Sequence, residues 1–314
     1  MSIKCLAKYP YLHANKSLLI FILCHFCFWS TSVFAQSNAN IVILLSNNDS
    51  PYLDAVSGFK NHFTGANTKI SELSLTQAQA TGISNLKPDL IYTIGLEASE
   101  WANQQMPKIP IVATMVLKDD IFKKSANMTG VSLSYSLKSQ FQWLRKFFLP
   151  PKNVAILFNP AENAAAIENA RNIGNREGYK LVAIPVETPK ELPYALEQLA
   201  NNVDVLMAIP DEMVMSVNTA KEVLLASFSN KVPLIGLSDN WVKSGALYAL
   251  SWDYVDLGKQ SAELAQKILN GASVQSLRPE NPRKATYTIN AKIADHMNLN
   301  ISDDLLNNAK IVFH

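Results

Sequence analysis

The stretches Ile41-Val-Ile-Leu-Leu-Ser-Asn and Val154-Ala-Ile-Leu-Phe-Asn-Pro decide how this chain folds. Each is a short apolar run, rich in β-branched residues, that passes into a polar turn and then into a segment of helical period. Such runs are typical of strands that are buried on both faces of a parallel sheet. Because the second stretch begins 113 residues after the first, the pair indicates two copies of one architecture.

Other apolar runs extend this pattern along the chain. They are Leu90–Ile94, Pro110–Thr114, Leu181–Val186, Val203–Ala208 and Val232–Leu237. Between the runs, apolar side chains recur at helical spacing, as they do at Tyr52, Val56, Phe59 and Phe63, at Leu192, Ala195, Leu196 and Leu199, and at Leu257, Leu264, Ala265 and Ile268. Alternating strands and helices predict an α/β fold with open parallel sheets that are covered by helices.

Two further correspondences support a doubled architecture. Asp89-Leu-Ile and Asp204-Val-Leu lie 115 residues apart, and Pro110-Ile-Val and Pro233-Leu-Ile lie 123 residues apart. With the first pair they follow one order at a nearly constant offset, which favours two similar lobes. The segment Thr129–Tyr135 would then carry the chain from the first lobe to the second. The alternative is that the strands of any α/β chain resemble one another.

Residues 1–35 have the three parts of a secretory signal peptide. A positive stretch up to Lys16 precedes the apolar run Leu18–Trp29, and Val33-Phe-Ala35 resembles a cleavage site. The apolar run is shorter than the roughly 20 residues that span a bilayer. Since no Cys follows the small residues, we predict a cleaved signal peptide, a lipid-free protein that begins near Gln36, and a periplasmic location. An uncleaved anchor is the alternative.

The composition excludes several classes of protein. Apolar residues make up 48% of the chain and charged residues 17%, which excludes a disordered chain. The net charge is +2, and all three cysteines (Cys5, Cys24 and Cys27) lie in the leader. The sequence therefore predicts no nucleic-acid partner, no disulfide scaffold and no cysteine nucleophile.

The sequence also lacks the signals of an enzyme. No Gly-x-Gly-x-x-Gly, Walker, Gly-x-Ser-x-Gly or His-Glu-x-x-His motif occurs, and only His62, His296 and His314 follow the leader. Adjacent acidic residues at Asp119-Asp120, Asp211-Glu212 and Asp303-Asp304 are typical of solvated turns or of the first turn of a helix. We expect no catalytic activity, no cofactor and no metal site.

A series of longer motifs resembles one protein family. They are Leu53-Asp-Ala-Val-Ser-Gly-Phe-Lys, Lys87-Pro-Asp-Leu-Ile, Asn127-Met-Thr-Gly-Val-Ser, Pro151-Lys-Asn-Val-Ala-Ile-Leu-Phe-Asn-Pro, Asn202-Val-Asp-Val-Leu, Lys231-Val-Pro-Leu-Ile, Val242-Lys-Ser-Gly-Ala-Leu, Asp253-Tyr with Leu257-Gly-Lys-Gln, and Lys267-Ile-Leu-Asn-Gly-Ala. In this order they resemble the periplasmic substrate-binding proteins of ABC transporters, in the family that includes tryptophan/tyrosine-type binders.

The resemblance implies a type I periplasmic binding fold, in which two doubly wound parallel-sheet lobes are joined by crossovers like the halves of a clamshell. Lobe 1 would comprise residues 36–133 and 252–285, and lobe 2 residues 134–251 and 286–314. Two turns depart from the family pattern. The chain reads Val116-Leu-Lys-Asp-Asp in place of an Asp-Pro-Val-like triplet, and Gly95-Leu-Glu-Ala in place of a Gly-Thr-Pro-Ala-like turn. Both turns face the family's cleft, so a different ligand remains an alternative.

The expected site lies beyond the carboxyl ends of the strands, where open parallel sheets bind their ligands. The candidate residues in lobe 1 are Asn48, Ser50, Tyr52, Gly95, Glu97, Thr114 and Met115. Those in lobe 2 are Asn159, Asp211, Ser238, Asn240 and Trp241, with Asp253 at the second crossover. The polar side chains would suit a zwitterion or a small heterocycle, with Asp211 accepting an ammonium group and Tyr52 and Trp241 stacking on a flat apolar part.

Each candidate also has a structural alternative. Ser50 and Asp211 could cap helices, and Tyr52 and Trp241 could pack into a core. The role of Asp253 could be limited to fixing the hinge. Trp101 and Trp143 lie among helical residues and are expected in the core or on the lobe surface.

The first functional hypothesis is a monomeric receptor that captures a small solute, such as an amino acid or a heterocycle, and delivers it to an ABC permease. The second is a receptor of the same fold that reports its ligand to a membrane kinase or chemoreceptor. An exported α/β enzyme, the third, would need a nucleophile and base that the sequence does not offer.

Overall fold

The structure is a computed structural model that describes residues 39–64, 67–117, 120–150 and 152–314. The predicted signal peptide lies outside these residues, so its cleavage near Gln36 stays a prediction. Among the described residues, no helix combines the length and the apolar character that crossing a bilayer requires.

The first sheet of the described chain has five parallel strands in the order β2-β1-β3-β4-β5. Its strands are β1 (Ala39–Leu45), β2 (Thr68–Ser74), β3 (Leu90–Ile94), β4 (Ile111–Val116) and β5 (Met128–Ser132). The helices between them are α1 (Ser50–His62), α2 (Leu75–Thr81), α3 (Leu96–Gln105) and α4 (Asp120–Lys124). We call the unit around this sheet lobe 1.

The second sheet has seven strands in the order β12-β11-β10-β9-β8-β6-β7 among the described residues. The strands are β6 (Asn153–Phe158), β7 (Lys180–Pro185), β8 (Val205–Met207), β9 (Leu234–Gly236), β10 (Tyr248–Trp252), β11 (Ala285–Asn290) and β12 (Ile311–Phe313). The helices around it are α5 (Leu137–Phe147), α6 (Pro160–Glu177), α7 (Leu192–Glu197), α8 (Ala220–Ser229), α9 (Asp239–Lys243), α11 (Ala291–His296) and α12 (Asp303–Asn307). We call this unit lobe 2.

The remaining long helix, α10 (Tyr254–Leu269), belongs to lobe 1 although it follows a strand of lobe 2. Leu257, Leu264 and Ile268 bury their side chains with those of β1 and β3. The chain then re-enters lobe 2 as β11, which pairs antiparallel with β10 because it returns from the same edge. The predicted α/β fold of two parallel-sheet lobes is confirmed, except that β11 and its parallel neighbour β12 run opposite to the other strands of the second sheet.

The strands that sequence analysis did not identify are β2, β5, β10, β11 and β12. Strand β2, with the sequence Thr68-Lys-Ile-Ser-Glu-Leu-Ser, has polar side chains between its apolar ones. It lies at the edge of its sheet. Edge strands lack the continuous apolar run of a central parallel strand, so they give a weak signal. The predicted helical stripe Leu192–Leu199 is also interrupted, because α7 ends at Glu197 and a 3₁₀ turn follows.

The correspondence between Asp89 and Asp204 has a structural basis. The Asp89 carboxylate accepts a 2.8 Å hydrogen bond from the backbone N–H of Asn40, and the Asp204 carboxylate accepts one of the same length from Asn153. Each aspartate also donates its own N–H to the carbonyl of the same asparagine. Both residues therefore join the starts of two neighbouring strands in the same way.

Two glycines allow α1 and α10 to cross in backbone contact. A Cβ atom on Gly58 would lie 1.9 Å from the carbonyl oxygen of Val255, and one on Gly258 would lie 2.0 Å from that of Ala55. No real side chain fits at these distances, so only glycine permits the approach. This contact attaches α10 to lobe 1.

The crossovers between the lobes are held together by Tyr135 and Trp252. The Tyr135 hydroxyl lies 2.8 Å from the carbonyl oxygen of Ser251 and 3.1 Å from that of Lys284, so one residue contacts the other two crossovers. The Trp252 indole N–H donates to the carbonyl of Leu133 at 2.8 Å. The rings of Tyr135 and Trp252 are nearly parallel.

An ion pair with a buried carboxylate holds the third crossover against α10. The Arg283 guanidinium donates two hydrogen bonds to the Asp256 carboxylate, at 2.9 and 3.0 Å, and a third to Glu263 at 2.7 Å. The Asp256 side chain is only 6% exposed. Burial by itself raises the pKa of Asp256, but the hydrogen bonds and charge of Arg283, together with Lys284, lower it overall.

The substitution Gly258→Ala should lower the free energy of unfolding by about 1–3 kcal/mol, because the new methyl group meets backbone atoms that cannot rotate away. Alanine is the better helix former, so the loss must come from the clash. Urea unfolding measures it, with Ser57→Ala on the exposed face of α1 as the control. Equal stability of the two variants would contradict the close crossing.

The substitution Arg283→Gln should destabilise the protein by about 1–3 kcal/mol at neutral pH, because Asp256 loses its bidentate partner. A lowered folded-state pKa stabilises the native state above the ordinary aspartate pKa of about 3.9, and this contribution is lost as the pH falls through the folded-state value. The difference between wild type and variant should therefore shrink below about pH 4. Arg171→Gln, which removes an exposed pair with Glu168, is the control. A pH-independent difference would contradict this account.

Candidate ligand-binding site

The carboxyl ends of the strands in both lobes border the space between them. A cavity of about 340 Å³ is lined by residues of both lobes, which include Asp120 and Lys123 from lobe 1, Tyr135 from the first crossover, and Gln140, Asn163 and Ile209 from lobe 2. A second cavity of about 780 Å³ lies along the edge of lobe 2, where Asn159 and Met213 are among its lining residues. These volumes are typical of small-molecule sites.

The lobe 1 side of the site is built around Gly95. This residue has a φ of 101° and begins α3, and a Cβ here would lie 2.5 Å from Ser46 Oγ and 3.2 Å from the Tyr52 ring. The Ser46 hydroxyl accepts a hydrogen bond from the backbone N–H of Ala98 at 2.9 Å. Gly95 therefore brings the start of α3 against the Tyr52 ring.

Tyr52 is half-buried, with one part of its ring against the lobe 1 core. Burial raises the pKa of its hydroxyl, and the nearby carboxylates of Glu97 and Asp49 raise it further. Tyr52 therefore packs against the core with one part of its ring and keeps the other part exposed. Glu97 itself is exposed in the first turn of α3.

Ser50 does not cap α1. The N-cap is Asp49, and the Ser50 hydroxyl lies 3.5 Å from the Asp54 carboxylate one turn later. Asn48 is exposed in the loop that precedes this helix. Both residues lie on the cleft-facing edge without a structural role that excludes a ligand contact.

Thr114 and Met115 are neighbours in the chain but differ in their surroundings. The Thr114 side chain is fully buried, and its hydroxyl donates to the carbonyl of Val131 at 3.0 Å. It is therefore not available to a ligand, which corrects the expectation from sequence. Met115 has a φ of 59° at a bulge where the pairing of β4 with β5 shifts. A non-glycine residue in this conformation is strained by about 1–3 kcal/mol, and bulges of this kind re-aim a side chain.

Asp211 serves as a structural acceptor. One of its carboxylate oxygens accepts from the N–H groups of Met213 and Val214, at 3.1 and 2.8 Å. The other accepts from the N–H of Asn159 at 2.7 Å and from the side-chain amide of Asn163 at 2.9 Å. With four donors and 5% exposure, Asp211 is engaged within the fold, where it holds the turn that follows it. It does not cap a helix, because the next helix of the described chain, α8, begins at Ala220 with Thr219 as its N-cap. Asn159 in turn caps α6.

The residues after β9 form a separate group. Ser238 is the N-cap residue of α9, Asn240 is exposed, and Trp241 packs partly against the lobe 2 core near Gly236. At the second crossover, Asp253 caps α10 by accepting from the Asp256 N–H, and Lys284 lies 3.6 Å from its carboxylate. The structure therefore brings the predicted residues together in three groups rather than in one.

Sequence analysis did not name Asp239 of lobe 2 or Tyr254 at the start of α10. Tyr254 is half-buried, and its pKa is raised by burial first and then by Asp239 of lobe 2 and by Tyr52 and Asp54 of lobe 1. Its ring lies 6.3 Å from that of Trp252. Ser238 and Asn240 were selected because they follow a predicted strand. Asp239 lies between them, so the same criterion could have identified Asp239.

The residues around Tyr52 and Tyr254 combine aromatic rings with carboxylates, although none of them lines either of the two cavities. Tyr52, Tyr254 and Trp252 supply flat surfaces, and Asp49, Asp54, Glu97 and Asp239 supply negative charge around the two tyrosines. Within the residues that the structure describes, no group of three or more His, Cys, Asp or Glu side chains could hold a metal ion. The chemistry favours an organic ligand with a positive group and a flat part.

Solved structures share this architecture. The ligand-free, open structure of a substrate binding protein with adhesive properties from Clostridium difficile aligns with a TM-score of 0.68 at 23% identity, covering 88% of this chain and 99% of that chain. An ABC domain in complex with L-Trp from Streptococcus pneumoniae aligns with a TM-score of 0.54 at 19% identity, covering 88% of this chain and 100% of that chain. At these identities the likeness shows the fold alone.

Sequence comparison goes further. A tyrosine-binding protein from Clostridioides difficile (strain R20291) is 27% identical over 230 residues, which make up 68% of this chain and 66% of that protein, just under two thirds of its length. The model of the family described as ABC transporter substrate binding protein matches residues 55–313. That match spans both lobes, and we conclude that this chain belongs to the ABC transporter substrate binding protein family.

Proposed function

We propose that this protein captures a small solute with an ammonium group and an aromatic ring between its lobes, and that it delivers the solute to an ABC permease from the periplasm as a monomer. An aromatic amino acid is the class that fits best. The observation that carries the proposal is the pair of aromatic rings at the second crossover, where Tyr254 lies 6.3 Å from Trp252. The charges of Asp239 in lobe 2 and Asp54 in lobe 1 both raise the pKa of Tyr254, after burial.

The parts of such a solute match the parts of the site. Its ring would stack on Tyr52 or Tyr254, and its ammonium group would face the surrounding carboxylates. The curated relative named as a tyrosine-binding protein supports the same class.

The crossovers supply the motion that capture requires. Tyr135 and Trp252 tie the crossovers together through hydrogen bonds to Ser251 and Leu133, so the lobes would rotate about one axis there. Closure would bring Asp239 toward Tyr52 and exclude water from the solute. No catalytic step is part of this proposal.

L-Tyrosine or L-tryptophan should raise the melting temperature of the protein in a screen of the proteinogenic amino acids. A ligand at about 100 times its Kd adds about 2.7 kcal/mol to the stability of the native state. Tyr254→Ala should weaken binding by roughly tenfold, given that lost stacking alone is worth about 0.5–1.5 kcal/mol beyond the buried area. Tyr194→Ala, at an exposed tyrosine on α7, is the matched control.

Small-angle X-ray scattering of the same samples should show a smaller radius of gyration with the bound ligand. If none of the amino acids stabilises the protein, the proposed solute class is wrong. Saturating binding without compaction would contradict closure about the crossovers.

The substitution Asp211→Asn tests whether Asp211 stabilises the fold rather than contacting the ligand. The amide would direct an NH₂ group at two of the four donors, so the free energy of unfolding should fall by about 1–3 kcal/mol. The affinity of the folded protein for its ligand should stay unchanged in calorimetric titration. Asp295→Asn, on an exposed position of α11, is the control. A tenfold loss of affinity with an unchanged melting temperature would return Asp211 to the binding site.

A further inference from the structure

Asp239 is held in a defined orientation at the carboxyl end of β9. One carboxylate oxygen accepts hydrogen bonds from the hydroxyl groups of Ser251 and Thr288. The other oxygen accepts from the ammonium group of Lys310 at 3.2 Å. The two hydroxyls come from β10 and β11, so the sheet itself positions the carboxylate.

This carboxylate differs from the other acidic candidates at the same edge. Asp211 is buried with four donors, and Asp253 caps α10. The Asp239 side chain is 32% exposed, and its second oxygen meets a side chain that is itself 40% exposed. An incoming cation can therefore reach this oxygen if Lys310 moves away.

The position of Asp239 places it beside the aromatic part of the site. Its partner Ser251 directly precedes Trp252, the residue at which the chain leaves lobe 2 for Tyr254. Asp239 also follows β9, whose carboxyl end borders the space between the lobes. A solute that stacks on Tyr254 would have its ammonium group within reach of this carboxylate.

Lys310 is attached in a way that permits it to leave. Its backbone N–H donates to the carbonyl of Tyr287 at 2.8 Å, at the start of β12. The backbone is therefore fixed, while the four-carbon stem of the side chain can carry the ammonium group into solvent. An exposed ion pair of this kind is weak, so a ligand cation can replace it at low cost.

We propose that Asp239 accepts the ammonium group of the solute and that Lys310 occupies this carboxylate until the solute arrives, which makes Lys310 a specificity-determining residue. This inference rests on the proposed function. A solute with an ammonium group restores the ion pair that it displaces. A neutral or anionic solute cannot form an ion pair with Asp239, so Lys310 stays bound to this carboxylate.

The test is a double-mutant cycle with Asp239→Asn, Lys310→Met and the two combined, measured by calorimetric titration with L-tyrosine. Asp239→Asn should weaken binding about tenfold or more, because a charge-assisted hydrogen bond is lost. Lys310→Met should tighten binding by about two- to fivefold, which is the range of an exposed ion pair. In the Asp239→Asn background, Lys310→Met should bring no gain, because the two effects act through one carboxylate.

Two analogues of tyrosine separate the groups of the solute. Tyramine keeps the ammonium group and should also bind more tightly to Lys310→Met. Phloretate lacks the ammonium group, so its affinity should be insensitive to Asp239→Asn.

A matched pair at the opposite edge of the same sheet serves as the control. Lys152 lies 3.4 Å from Asp204, and the two side chains are 39% and 40% exposed. This pair lies at the start of β6, away from the carboxyl ends of the strands. Lys152→Met and Asp204→Asn should leave the affinity for L-tyrosine unchanged, and melting curves of all variants report any loss of folded protein.

The outcomes separate this inference from the proposed function. If wild type binds none of the amino acids, both are overturned. If wild type binds L-tyrosine but Asp239→Asn binds it equally well, only the inference is overturned. Weaker binding by Lys310→Met would also overturn it, because Lys310 would then contact the solute carboxylate instead of competing with its ammonium group.

Discussion

The backbone contact between α1 and α10 is the constraint on which the rest of the structure depends. Gly58 and Gly258 let the two helices approach until carbonyl oxygens occupy the space of the missing side chains. Because α10 follows β10 of lobe 2 in the chain but packs on lobe 1, the chain must cross between the lobes and return to β11. The crossing of the chain between the lobes, the reversed direction of β11 and the position of Tyr254 at the start of α10 all follow from this attachment.

The carboxylates of the protein fall into two groups that differ in their partners. Asp256 and Asp211 are buried, and each accepts hydrogen bonds that hold two segments of chain together. Since an unpaired buried carboxylate is unfavourable, these side chains have their partners within the fold. Glu97 and Asp239 keep more contact with solvent at the edges that face each other. The same residue type therefore supports the fold in one place and stays open to solvent in another.

Much of the fold could be predicted, because buried parallel strands and amphipathic helices leave strong local patterns. The runs at Ile41–Leu45 and Val154–Phe158 are strands, and the equivalent hydrogen bonds of Asp89 and Asp204 explain why the two halves resemble each other in sequence. The local pattern did not predict β2, which lies at a sheet edge, or β11. The direction of β11 depends on where the chain re-enters lobe 2 from lobe 1. Such features are set by neighbours that are distant in sequence.

The sequence by itself determined the α/β class, the two lobes and the ends of the central strands, because hydrophobic periodicity is a local property. Only the tertiary structure decided which of the side chains at those ends are free to act. Thr114 and Asp211 follow strands as the pattern requires, yet their polar atoms are used by Val131 and by four donors around α6 and β8. Asp239 follows the same pattern but keeps one oxygen toward an exposed lysine. The physical reason is that the hydrogen-bond partners of these three residues come from other segments, in the case of Asp239 and Lys310 from 71 residues away, which no local pattern can specify.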